Sequence, residues 1–161
     1  MRGGAFPPTL LFLALGLTLA FAPRNARMPS LLAAFATVAA CSLLPVPRIW
    51  IEGIFLGCWI SVIATAASVH IPRGIGRFAA LALSINAGVW GSAVVSLSGT
   101  PLDLALALPC VLIFLAASWL IGRYGSIPVK VVSSWIVAVA ILAGTLQLLP
   151  VTPGYLPDHM E

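Results

Sequence analysis

Residues 49–71 read IWIEGIFLGCWISVIATAASVHI, a stretch whose only charge, Glu52, stands near its start. A bilayer core of about 30 Å is crossed by a helix of about 20 apolar residues, so this stretch is expected to span a membrane. Within it Gly53, Gly57, Ser61 and Thr65 recur at every fourth position. In a helix that spacing gathers them on one face.

Five further uncharged or nearly uncharged stretches flank it, over residues 6–22, 29–46, 78–98, 101–121 and 131–149. Of the 161 residues 61% are hydrophobic and 7% charged, with a mean hydropathy of +1.12. Soluble domains carry roughly a quarter charged residues, and these few charges would not clothe one in water. The expected fold is therefore all-α: a polytopic transmembrane helical bundle of six helices, forming a single transmembrane domain over 1–161 and arranged as three short-loop hairpins.

Proline gives an independent check, since it lacks an N–H and marks helix ends. Pro7, Pro8, Pro23, Pro29, Pro45, Pro47, Pro72, Pro101, Pro128, Pro150, Pro153 and Pro157 all fall at expected boundaries, in loops or in the tail. Pro109 alone lies inside a span, and a kink is expected there.

Short loops rich in Lys and Arg stay in the cytoplasm. Arg24, Arg27, Arg73, Arg77, Arg123 and Lys130 fall in the first, third and fifth connections. Arg2, Arg48 and the acids Glu52, Asp103, Asp158 and Glu161 fall on the other side. Both termini are thus expected outside the cell membrane, a bacterial inner membrane in this reading. The alternative takes residues 2–22 as a signal peptide cleaved after Ala20-Phe21-Ala22, leaving five helices. Pro23, directly after that cut, and the two arginines beyond it favour a retained first helix. Trp50 and Tyr155 map to the outer interface and Trp119, Tyr124 and Trp135 to the inner one, whereas Trp59 and Trp90 map to mid-membrane.

Arg24, Arg73 and Arg123 recur at intervals of about 50 residues, which marks three hairpins; poor side-chain identity argues against true triplication. A second stripe of small residues, Ser84, Gly88, Ser92 and Ser96, repeats the fourfold spacing of the first. Lipid supplies no hydrophobic drive between helices, so small residues that let backbones approach mark helix contacts. The two stripes are expected to face each other as a tight antiparallel pair; the sharper alternative is that one lines a narrow polar path or a homodimer seam. Ala33, Thr37 and Cys41 form a lesser stripe, in which Thr37 is expected to bond back to its own helix.

Residues that carry chemistry are few. Glu52 is placed at the start of its helix, four residues from Arg48, where an ion pair and the helix dipole account for it. Thr100-Pro101-Leu102-Asp103 reads as a capping box that starts the fifth helix. Asn86, near mid-membrane, needs hydrogen-bond partners: a structural bond to a neighbouring helix, with solute contact as the alternative. The candidate solute or helix-packing positions are thus Asn86, Glu52, Gly53, Gly57, Ser61, Ser84, Gly88 and Ser92.

Cys41, Cys58 and Cys110 lack metal-ligand spacing, and His70 and His159 map to opposite sides, so no metal site is expected. Residues 74–79 match G-x-G-x-x-A but follow a membrane helix rather than a strand, which removes the dinucleotide reading. No nucleophile has a positioned base, so no catalytic residue or cofactor is expected and the chain is not read as an enzyme. The basic residues form no run, which argues against nucleic acid. Two functions remain: a small-solute transport or channel component, and a non-catalytic membrane subunit or assembly factor of a larger complex. The expected partners are the lipid bilayer, further copies of the chain and other membrane subunits.

Overall fold

The computed structural model describes residues 6–72 and 74–148, and it is helical throughout with short connections. The α-helices are α1 (Phe6–Ala20), α2 (Arg24–Ser42), α3 (Ile51–Ala67), α4 (Arg77–Ser98), α5 (Pro101–Ala107), α6 (Ile113–Tyr124) and α7 (Ile127–Leu148). A 3-10 turn at Arg48–Trp50 leads into α3, another at Ser68–His70 ends it, and a third at Leu108–Leu112 joins α5 to α6. Counting α5, the third turn and α6 as one rod, the described residues form six.

Four rods are long and apolar enough to cross a membrane: residues 48–70, 77–98, 102–124 and 127–147. These are the make-up of a multi-pass membrane protein. The other two fall short of the six expected crossings for different reasons. Over its 15 described residues α1 extends about 22 Å at 1.5 Å per residue. Helix α2 reaches 19 residues, but its first turn carries Arg24, Asn25 and Arg27.

Helix α1 is the centre of the bundle. It packs against α3, α4, α5, α6, α7 and the turn at Leu108–Leu112. Leu11, Phe12, Ala14 and Leu17 point in different directions around its axis, and all are buried. A helix apolar on every side is stable only where neighbours surround it, and this Leu- and Ala-rich sequence offers no polar face. Gly16 lets the backbone at Val111 and the side chain of Ile113 lie directly against it, where any Cβ would overlap both. Arg27 closes the C-terminal end of α1, donating from Nε to the Ala22 carbonyl at 3.1 Å and from Nη2 to that of Ala20 at 2.8 Å. Such a cation satisfies the carbonyls that a helix C-terminus leaves open.

Boundaries differ most from expectation in two places. The second segment begins at Arg24 rather than residue 29 and ends at Ser42, so Pro29 lies inside α2. The carbonyl that Pro29 deprives of a donor belongs to Asn25, which is exposed in the first turn, where the loss is cheap. The last helix begins at Ile127 rather than 131, with Pro128 in its first turn, where proline lacks nothing the helix needs. The interruption at Pro109 follows the expected kink: the α-helical ladder gives way to a 3-10 turn.

Caps agree with the sequence. Thr100 accepts from the Asp103 N–H at 3.4 Å while its own N–H donates to Asp103 Oδ2 at 2.7 Å, completing the capping box. Gly125, at φ +82°, ends α6 with a positive φ that favours glycine and turns the chain into α7. Asp158, Glu161, His159, Tyr155, Arg2 and Arg73 lie outside the described residues.

Candidate functional site

A polar arrangement that crosses between helices lies between α3 and α4. Asn86 Nδ2 donates to Ser61 Oγ across the interface, and Asn86 Oδ1 accepts from Trp90 Nε1 at 3.1 Å, one turn along its own helix. The indole then lies over Gly57, so close that a Cβ there would overlap the ring. One amide thus joins a hydroxyl of the neighbouring helix to an indole N–H, with its carbonyl and its NH2 both engaged. An amide, a hydroxyl and an indole do not ionise near neutrality, so these three groups carry no charge or proton. What they supply is cohesion, because a polar group without a partner in hydrocarbon is costly.

A second group of hydroxyls gathers where α3 ends. Thr18 Oγ1 of α1 donates to the Thr65 carbonyl at 2.8 Å, and Ser68 Oγ donates to the same oxygen at 2.6 Å. Ser133 Oγ of α7 donates to the Ala66 carbonyl at 2.6 Å, and Ser134 lies 3.3 Å from His70 Nε2. The last carbonyls of a helix have lone pairs to spare, and hydroxyls from two neighbours take them up. Sequence reasoning missed Thr18, Ser68 and Ser133. The available signal was Thr18 itself, an isolated hydroxyl in a Leu-rich segment.

The candidate positions separate into three sets. Gly57, Ser61 and Asn86 come together at the α3–α4 contact just described. Ser84, Gly88 and Ser92 form the face that α4 turns to α2, not to α3. A Cβ on Gly88 would lie 2.8 Å from Thr37 Cβ and 2.9 Å from the Ala34 carbonyl oxygen. The expectation that the two stripes face each other is therefore corrected. Asn86 and Trp90 lie two residues along from Ser84 and Gly88, about 200° around the helix, so the opposite face of α4 meets α3. Ser92 bonds back to the Gly88 carbonyl at 2.8 Å and Thr37 to that of Ala33 at 2.7 Å.

The third set, Glu52 and Gly53, stands apart from both contacts. Both residues are exposed, and a Cβ on Gly53 would meet nothing within 4 Å. Arg48 is exposed too, and no ion pair joins it to Glu52. Exposed side chains gain little from pairing, which accounts for their staying apart.

Trp59, the other mid-span tryptophan, is 3% exposed and lies 6.0 Å from the Phe6 ring, while its Nε1 has no hydrogen-bond partner among the described residues. Among the described residues no three of His, Cys, Asp and Glu come together. No known protein family, curated protein or solved structure matches the chain.

Proposed function

We propose that this chain is a non-catalytic membrane subunit or assembly factor, a compact helical piece that docks within a larger membrane complex. One observation carries the reading: the Asn86–Ser61–Trp90 arrangement and the indole over Gly57 fill the space that a solute path between α3 and α4 would need. The outward faces support it, since Trp119 on α6 and Trp135 on α7 remain 64% and 76% exposed, and large aromatics favour protein interfaces as well as membrane boundaries. Other chains that co-purify at fixed stoichiometry in mild detergent are the expected outcome. Proteoliposomes of the chain alone that pass a small neutral solute, at a rate changed by Trp90→Ala, would overturn it.

The second reading, a small-solute transport or channel component, is favoured by the break at Pro109, since interrupted helices line many transport sites. The same liposome assay decides between the two. For orientation we propose a bacterial inner membrane with both termini outside, supported by the partition of basic residues. Cysteines at Asn25, Gly74 and Gly125 are expected to label from the cytoplasmic side and one at Gly99 from the other. Labelling of positions 74 and 99 from one side would overturn that map.

A further inference from the structure

Helices α2 and α4 run parallel with their N-termini together. Between these ends lies a cleft of about 330 Å³ with Asn25, Ser30 and Arg77 among its polar lining and Ala26, Pro29 and Leu81 as apolar walls. We propose that this cleft binds an anionic phosphate group. The inference is independent of the subunit reading and goes beyond it.

The side-chain charges around the cleft are one-signed. Neither α2 nor α4 has an acid in its first turn, and neither Pro23 nor Gly76 caps its helix with a side chain. The leading N–H groups of two adjacent helices therefore lack a side-chain acceptor, and each helix end carries positive potential. Arg77 lines the cleft and Arg24 begins α2 beside it. The described acids, Glu52 and Asp103, follow the C-terminal ends of α2 and α4 and so belong to the far end of the bundle.

An independent observation comes from Ser30. It lines the cleft, is 1% exposed, and its hydroxyl has no hydrogen-bond partner among the described residues. A buried hydroxyl without an acceptor is costly, and an oxygen seated in the cleft would satisfy it. A phosphate offers several acceptor oxygens, matches the guanidinium fork of Arg77, and is the anion that helix N-termini hold well. The Asn25 amide adds a further donor.

The phosphate belongs either to an anionic lipid headgroup or to a free phosphate. Helix α2 is held chiefly by α4, so the cleft opens on the rim of the bundle, at the depth where headgroups lie.

The test is thermal unfolding of the purified full-length chain in neutral detergent, with added short-chain phosphatidylglycerol, phosphatidylcholine or inorganic phosphate at matched ionic strength. Phosphatidylglycerol is expected to raise Tm by about 3 °C, and phosphatidylcholine by much less. A shift from phosphatidylglycerol alone assigns the site to lipid, and an equal shift from inorganic phosphate assigns it to the free anion. Arg77→Gln, at an exposed position, is expected to leave the lipid-free Tm unchanged and abolish the shift. Ser30→Ala is expected to raise the lipid-free Tm slightly, because an unsatisfied hydroxyl is gone, and to reduce the shift; a purely structural serine would alter only the former. No shift with either phosphatidylglycerol or phosphate, or a full shift retained in Arg77→Gln, overturns the proposal.

Discussion

Helices α3 and α4 carry small residues at the same fourfold spacing, yet the two stripes do different work. On α4 the small residues admit another helix: Gly88 sits against the Ala34 carbonyl and Thr37 of α2, backbone against backbone. On α3 they admit a side chain, because Gly57 holds the Trp90 ring that Asn86 fixes in place. Small-residue periodicity thus identifies where something approaches closely, without naming what approaches. In lipid the partner is set by which faces are complementary across the whole bundle, and that information is distributed over several helices.

The largest expected effect tests the backbone contact. Gly88→Leu forces α2 away from α4 along its whole length, and we expect a loss of about 3 kcal/mol or more, read as a collapse of Tm in detergent. An unchanged Tm would mean that α2 and α4 do not meet there.

Gly57→Leu is expected to cost less, about 2 kcal/mol, because an indole can swing out where a backbone cannot. Ile54→Leu, one turn earlier, serves as its volume-conserving control and should lose under about 1 kcal/mol. Displacement of Trp90 is expected to show as a shift in its fluorescence. Equal Tm values for the two variants would break the distinction between the stripes.

Asn86→Leu sharpens the comparison further. It removes the link between Ser61 and Trp90 while leaving the α2 face of α4 intact, so a loss of about 1–2 kcal/mol is expected, with the α2–α4 contact still detectable by cysteine cross-linking between Ala34 and Gly88. Smallest of all, Gly53→Leu should change Tm by no more than about 0.5 kcal/mol equivalent, since nothing stands within 4 Å of its would-be Cβ. A large loss there would extend the working stripe to the end of α3.

Much of this architecture was legible in the sequence. Apolar runs located the rods, Thr100 to Asp103 announced its own capping box, and Pro109 announced the break, because each depends on residues adjacent in the chain. Pro29 misled, since proline in an early turn is read as a start when polar residues ahead of it, here Arg24 to Arg27, can be helical as well. Asn86 was identifiable as a group in need of partners, but not which ones. Ser61 is 25 residues away in sequence, and only the rotation of α4 decides which of its faces meets α3. Ser30 carried no local signal at all; its significance comes from the parallel setting of two helix starts.

The helix at the centre of the bundle is also the earliest of the described helices to leave the ribosome. In lipid α1 initially has tails on every side, and its contacts with α3 and α4, then with the Leu108–Leu112 turn and α6, and at last with α7, close one after another as the chain lengthens. Its surroundings change from solvent-like hydrocarbon to protein in steps, so the earliest made of the described helices is not fully enclosed until α7 is in place. A short helix of this kind need not match the bilayer once enclosed, but during that interval its length of about 22 Å leaves it poorly matched to a core of about 30 Å. The interval before α7 arrives is therefore when a chaperone or a partner helix has most to offer this chain.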